Sequence, residues 1–517
     1  MAAGQGEAAG ASHGAASRAE WAGFGLLIVV AAALRFYGLG REPVWLDEAY
    51  SWWAAHQPLG ALISLVPTCD PQPPLYPLIL KGWIALAGDS PAALRAPGAA
   101  AGVLAVALLW GAARAISPAA GFYAAALLAV APFQVEYAQE ARPYAIVTVA
   151  FALVLYGGLR VTCRGDAAAG SSARIGVREG LGAWVALAAG GALAVWLRNT
   201  AVFVLASLAC AALAWMAIEP AARRHGRAVV AVTLAIALAW APYVPTYIAQ
   251  ARGVVDAFWI PWPTSEYVLR ELGLVLGSPL PWVVVAVAGL FALGLAVLWR
   301  GGRRGAALLL GCMAVGPVLF TLAASLAVKP ILIARVLIGI ALPVCVGIAA
   351  AIARLPSPAR RMALFLPLVA ASLYADQQLL AQSARKEPWN AIARALAATP
   401  DDALVLLLPS ELELPLAHAF GQTQVARAMR GVPRPFPAPG LEAEYPTSRC
   451  VPVVEPEGLA GLARAIEGRR TLVLVRRVRD VYDPQNEVPA LLARAGFAHV
   501  ATREFASEKL VERYERR

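Results

Sequence analysis

Asp47 and Glu48 stand side by side in the run Trp45-Leu-Asp-Glu-Ala-Tyr-Ser51. A carboxylate in a partly dry cleft can take a proton from an attacking hydroxyl, the work of a general base, because loss of water raises the basicity of an acid. Trp45, Trp52 and Trp53 supply such a setting. The plainer use of the same residues is at a helix start, where acids cap free amides and meet the positive end of the helix dipole. Adjacent helical side chains point about 100° apart, so the two acids are not expected to share one proton. One faces the cleft and the other supports it; Asp47 is the expected base.

A second polar run, Gln134-Val-Glu-Tyr-Ala-Gln-Glu-Ala-Arg-Pro-Tyr144, lies between two apolar stretches. Glu136 and Glu140 fall on one helical face at i and i+4, where like charges repel unless a cation, a proton or a substrate compensates. Arg142 is the nearest cation, and a local salt bridge at a helical hairpin is the ordinary outcome. Ionisable residues at membrane depth nevertheless mark functional sites by default. Lys329 and Arg335 bracket a further apolar start in Val328-Lys-Pro-Ile-Leu-Ile-Ala-Arg335. They either snorkel toward headgroups or converge on a phosphate, Arg through two parallel hydrogen bonds and Lys as a point charge.

The scaffold that positions these groups belongs in a bilayer. Of 517 residues, 59% are hydrophobic and 15% charged, against about 25% charged in soluble domains. The net charge of +11 does not call for a nucleic acid, because the arginines punctuate apolar runs instead of forming one patch. No CxxC or Cys/His metal spacing occurs, and Cys210, Cys312 and Cys345 fall inside apolar runs, where small buried side chains are expected. A spanning helix needs about 20 mostly apolar residues. Eleven runs meet that need: 21–39, 98–113, 119–138, 143–159, 181–197, 201–218, 228–248, 281–299, 305–328, 332–353 and 362–380. With residues 1–20 as a disordered cytoplasmic lead, Arg223, Arg224, Arg227, Arg300, Arg303 and Arg304 fall in short inside loops, as the positive-inside rule requires. An odd number of spans leaves the C-terminal tail outside.

The expected organisation is therefore a transmembrane domain over 21–380, with a large first outside loop at 40–97, followed by an extracytoplasmic domain over 381–517. Within the loop, the apolar stretch 74–88 is too short to span and the aromatic-rich stretch 50–65 suits a helix along the membrane surface. In the tail, strand-like runs at 403–408, 471–475 and 499–505 alternate with helix-like runs at 388–398, 459–467 and 488–495, the pattern of a small soluble α/β domain. Pro-rich text at 432–439 reads as a loop. Cys69 and Cys450 both fall outside, where a disulfide could form, though sequence does not fix their separation.

Asp47-Glu48 just after the first span, Pro-Pro-Leu-Tyr at 73–76, Tyr137-Ala-Gln-Glu-Ala-Arg-Pro-Tyr144 and the Lys329-Pro-x4-Arg335 element together resemble bacterial GT-C glycosyltransferases of the dolichyl-phosphate-mannose protein mannosyltransferase and aminoarabinose-transferase type. The resemblance covers roughly 21–159. It implies a GT-C fold, a polyprenyl-phosphate-linked sugar donor, an outward-facing site in the first large loop and inversion at the anomeric carbon. By position it makes Asp47 the catalytic carboxylate with Glu48 its neighbour, and places Glu140, Arg142, Tyr137 and Tyr144 around the substrate. Lys329 and Arg335 would meet the donor phosphate, although Val336-Leu337 follows Arg335 where Tyr-Leu is usual.

The expected partners are that donor, a hydroxyl-bearing glycolipid, glycan or protein acceptor, and membrane lipids, at the inner (plasma) membrane. No metal or other cofactor is expected to be obligatory; a divalent cation on the carboxylates is the variant chemistry, since His56 and Asp70 add no ligand cluster by spacing. A transporter or lipid-linked sugar flippase is the alternative, and would place ionisable residues near span centres and break helices. A scaffolding subunit would need none of the acids.

Overall fold

The computed structural model describes residues 17–167, 177–252, 260–278, 280–382, 386–438, 450–455, 459–477 and 482–517. The expected lead lies outside the described residues up to position 16, as does the last residue of the Pro-rich stretch 432–439. Among the described residues nine helices are long and apolar enough to cross a membrane: Arg18–Phe36, Pro91–Ala113, Tyr144–Cys163, Gly180–Leu197, Ala201–Ile218, Pro220–Ala251, Pro281–Arg300, Arg304–Ala327 and Pro358–Ala381. A tenth is broken, with Pro118–Ala129 and Pro132–Ala138 meeting at 60°. The chain is a multi-pass membrane protein.

The remaining expected span, 332–353, differs. It opens with two isolated tight turns, Ala334–Val336 and Ile338–Ile340, before the helix Ala341–Arg354. The cause is local commitment of its first residues. The Ala334 amide is donated to Glu271 at 2.7 Å, the Ser325 hydroxyl accepts the Ile331 and Leu332 amides, and Arg335 reaches away to Asp47. Pro97 likewise proved no boundary, since the helix Pro91–Ala113 runs through it; a proline costs a helix one amide donor without always ending it.

The loop after the first span folds into short helices, Leu46–His56, Leu59–Ser64, Val66–Cys69 and Leu75–Ala87. Above them sits a five-stranded sheet: β1 (Leu404–Leu408), β2 (Ala428–Gly431), β3 (Thr471–Arg477), β4 (Phe497–Phe505) and β5 (Lys509–Arg516). Its order is β2-β1-β3-β5-β4, with β1 parallel to both neighbours and β5 antiparallel to both of its own. Strand β1 reads Leu-Val-Leu-Leu-Leu because both faces are covered. Leu404, Leu406 and Leu408 pack toward Leu462 and Leu492, while Val405 and Leu407 pack toward Trp389, Ile392 and Leu416.

The sheet domain is fastened to the first loop. Phe436 packs edge-on against Tyr50 at 5.5 Å and Trp53 at 5.1 Å. The Tyr50 hydroxyl donates to Glu411 at 2.7 Å, and a ring nitrogen of His418 meets the Asp89 carbonyl at 2.9 Å. Cys69 and Cys450 form a disulfide across 381 residues of sequence, which closes the question the sequence left open.

Candidate active site

The helix Leu46–His56 begins without a hydroxyl cap. Its first amides are taken by carboxylates, Trp45 N–H by Glu48 at 3.4 Å and Leu46 N–H by Glu387 at 3.1 Å. Glu387 also receives the Trp389 indole N–H and Lys509, so the segment that follows the last span is clamped to this helix start.

Glu48 is fully buried. Arg95 grips it with two parallel bonds, Nε to Oε1 at 2.8 Å and Nη2 to Oε2 at 2.7 Å. Lys386 Nζ stands 3.0 Å from Oε1 and the Ala141 amide 2.9 Å. Burial alone would push this carboxyl up, but Arg95, Lys386 and the amide outweigh it and hold the acid well below the usual carboxylate range. The remaining Arg95 donors meet the carbonyls of Leu39, Glu42 and Pro43. Glu48 is thus the knot between the first loop, the helix Pro91–Ala113, the turn at Ala141 and the tail.

Asp47 points elsewhere. Its side chain is 28% exposed, and Arg335 Nη1 lies 3.0 Å from Oδ2. Its carbonyl accepts from Arg142 Nη1 at 3.1 Å, and the same nitrogen lies 3.3 Å from Ser51 Oγ and 3.0 Å from Asp70 Oδ2. Burial opposes charge on Arg142, yet Asp70 and Asp47 hold its pKa well above the ordinary value.

Glu140 departs from its expected geometry. The helix Pro132–Ala138 stops before it, with the Gln139 amide closing on Glu136, so Glu136 and Glu140 do not share a helical face. Nor does Glu140 pair with Arg142, whose acid is Asp70. Glu140 turns inward, with Lys386 3.7 Å from Oε1 and Oε2 buried without a hydrogen-bond partner. Burial, aided by Glu48, Glu136 and Asp47 and opposed by Lys386, pushes its pKa up to about 7.

Tyr137 and Tyr144 form an edge-on pair at 4.8 Å. Phe133 lies 4.5 Å from Tyr137, and the Arg198 guanidinium sits 4.8 Å over Tyr144. The group packs on Ala334, Leu337 and Ile338, and so forms the wall beside Arg335. Lys329 sits half-buried on the turn after Arg304–Ala327, its amide closing on Ala324. Among the described residues no three His, Cys, Asp or Glu side chains gather as metal ligands.

The structure adds Arg95, Asp70, Lys386, Glu387 and Glu411 to the residues expected from sequence. A signal for Lys386 was present. Only four of the 44 basic residues are lysines, at 81, 329, 386 and 509, and all lie in segments assigned to the outside. Arg95 was hidden by Pro97, which set the expected start of the span at 98; in the structure it lies in the first turns of Pro91–Ala113, where burial demands a counter-ion. Asp70 gave no local sign, because its partner is 72 residues away.

A family model described as dolichyl-phosphate-mannose-protein mannosyltransferase matches residues 71–248. No curated protein sequence matches the chain. Among solved structures, ArnT from Cupriavidus metallidurans bound to undecaprenyl phosphate superposes with a TM-score of 0.64 at 15% identity, covering 96% of this chain and 98% of that one. The same enzyme in the apo state gives 0.64 at 14% identity with the same coverage. The Archaeoglobus fulgidus oligosaccharyltransferase in the apo form gives 0.53 at 11% identity, over 89% of this chain and 69% of that one. These matches bear out the GT-C fold and the resemblance to GT-C glycosyltransferases.

Proposed function

We propose that this chain is an inverting glycosyltransferase that moves a sugar from a polyprenyl-phosphate donor to a hydroxyl of a glycolipid, glycan or protein on the outer face of the inner membrane. The observation that carries the reading is the divided use of the acid pair: Glu48 is locked among Arg95, Lys386 and Ala141, while its neighbour Asp47 stands at an open rim opposite a single arginine side chain, Arg335. A GT-C fold supports the donor class, and the C. metallidurans structure with undecaprenyl phosphate supplies a precedent for the carrier.

In the proposed reaction Arg335 passes from Asp47 to the donor phosphate as the donor binds, which frees the Asp47 carboxylate. Asp47 takes the proton from the acceptor hydroxyl. The acceptor oxygen bonds to the anomeric carbon from the face opposite the phosphate, and the bond from that carbon to the phosphate oxygen breaks with its electron pair. Arg142, Lys329 and Arg335 stabilise the departing polyprenyl phosphate, with Tyr137 and Tyr144 as the wall beside it. The N-terminus is then cytoplasmic and the sheet domain extracytoplasmic. The Cys69–Cys450 disulfide supports that orientation, since disulfides persist in oxidising compartments and not in the cytosol. The transport alternative expects charges near span centres and broken helices; one span is broken between Ala129 and Pro132, but the buried Arg35 and Asp376 lie toward the ends of Arg18–Phe36 and Pro358–Ala381 nearest the site.

The test is incubation of the purified full-length protein with a panel of labelled polyprenyl-phosphate sugars and hydroxyl acceptors, followed by mass analysis. Transfer with inverted configuration is expected. Absence of both transfer and donor hydrolysis across the panel would overturn the reading.

A further inference from the structure

Beneath the acids the first and third spans exchange hydrogen bonds in a way the reaction itself does not require. The break between Pro118–Ala129 and Pro132–Ala138 takes the Leu128 and Ala129 carbonyls out of the regular helical hydrogen-bond pattern. An unbroken helix would satisfy the Leu128 carbonyl with the amide at position 132, but that residue is proline and has none; the Leu128 carbonyl instead takes a long bond from the Ala131 amide at 3.3 Å. In hydrocarbon such a carbonyl must find a partner within the protein. Arg35, buried to 1% exposure, adds shorter, charged bonds: Nη2 donates to the Leu128 carbonyl at 3.0 Å and Nη1 to the Ala129 carbonyl at 2.8 Å.

The exchange is reciprocal. Gln139, just past the broken span, donates its amide nitrogen to the carbonyls of Leu34 and Tyr37 at 3.0 and 2.9 Å, where the first span ends and would otherwise leave acceptors unpaired. Two glycines at i and i+4 of the neighbouring helix make room. A Cβ at Gly102 would stand 2.7 Å from Arg35 Nε, and one at Gly98 would stand 3.0 Å from the carbonyls of Ala138 and Glu140. Asp376 on the last span is the charge set against Arg35, and neither of its carboxylate oxygens is hydrogen-bonded. The three elements that meet here lead to Asp47 and Glu48, to Glu140 and Arg142, and to Lys386.

We infer that Arg35 is a positioning residue for the transfer reaction: by binding the Leu128 and Ala129 carbonyls at the break before Pro132 it fixes the bend that delivers Glu140 and Arg142 to the acid pair. This rests on the glycosyltransferase reading for its activity readout and on none of it for its structural readout. Binding free energy spent on alignment is lost steeply with distance, and a misplacement of about 1 Å costs roughly 10²-fold in rate.

The experiment compares the full-length wild type, Arg35→Lys and Arg35→Met, by hydrogen exchange of peptides covering 131–144 and by transfer kinetics with the most active donor of the panel. Arg35→Met is expected to raise exchange over 137–142 about tenfold or more, with the sheet domain unchanged, and to lower kcat on the order of 10²-fold while donor KM moves less than about threefold. Arg35→Lys, able to serve one carbonyl, should fall between. Wild-type exchange and wild-type kcat in Arg35→Met would overturn the inference. If Arg35→Met does not fold, Arg35→Met with Pro132→Ala restores the missing amide; a folded but inactive double variant supports positioning, and one that regains full activity refutes it. Failure of wild-type transfer would instead remove the glycosyltransferase reading and leave the exchange result standing.

Discussion

On the floor of the site Glu48 is fully buried and receives two cations and a backbone amide; at the rim, one residue earlier, Asp47 is partly exposed and pairs with Arg335 at 3.0 Å. The floor carries charge for architecture. Removing water from an ion pair costs several kcal/mol per ion, and only a complete set of partners offsets that cost. The rim can exchange partners because its acid has kept part of its hydration. Neighbouring acids thus serve different ends, decided by which elements close over them.

Truncating Glu48 to Ala should do the largest damage, since it strands Arg95 and Lys386 in a dry interior. A loss of roughly 3 to 5 kcal/mol is expected, read as a steep fall in thermal unfolding temperature or in folded yield. A Glu48→Ala protein as stable as wild type would erase the distinction between floor and rim.

Cys450→Ser probes the rim from the other side, because Cys69 precedes Asp70, the acid that holds Arg142. Loss of the disulfide should cost about 2 to 4 kcal/mol and should slow transfer through a looser Asp70–Arg142 pair. Exchange protection at the Ala141 amide, which is bound to Glu48, should persist.

Lys386→Met removes one of two cations from Glu48 and the counter-charge of Glu140. A charged hydrogen bond of this kind is worth about 1.5 to 3 kcal/mol. The pKa of Glu140 should rise further, because Lys386 is what lowers it.

The smallest effect is a slope. Glu140 moves from an ordinary 4.5 to about 7 in the folded protein, so the folded state binds this proton more tightly than the unfolded state. Stability from that proton is present below pH 4.5, is lost as pH rises from 4.5 to about 7, and is constant above. Glu140→Gln should remove this slope, and the variant should gain on wild type in thermal melts as pH rises through that window. For Glu48, whose pKa is depressed, the sign is opposite, and its stabilisation fades as pH falls below the usual carboxylate range.

The spans were legible because hydropathy is a local property of about 20 residues. The Asp47-Glu48 motif was legible because its aromatic neighbours are adjacent in sequence. The break at 130–131 was marked only by Pro132, which the apolar count passes over. Strand β2, with four residues, carries too short a pattern, and β5 reads Lys-Leu-Val-Glu-Arg-Tyr-Glu-Arg, with too many charges to resemble a strand. The partners of the acids lay furthest from view. Arg95 is 47 residues from Glu48, Lys386 is 338 away and Arg335 is 288 from Asp47, so their convergence is set by how the spans pack and not by any local spacing.

Transfer by Asp47→Asn, measured beside wild type with the same polyprenyl-phosphate sugar, tests the base at the rim most directly. The variant keeps the size of the side chain and leaves the Glu48 knot untouched, so a folded protein is expected whose kcat is lower by about 10² to 10⁴, the usual worth of a general base. Wild-type turnover by folded Asp47→Asn would contradict the assignment of the proton to that carboxylate.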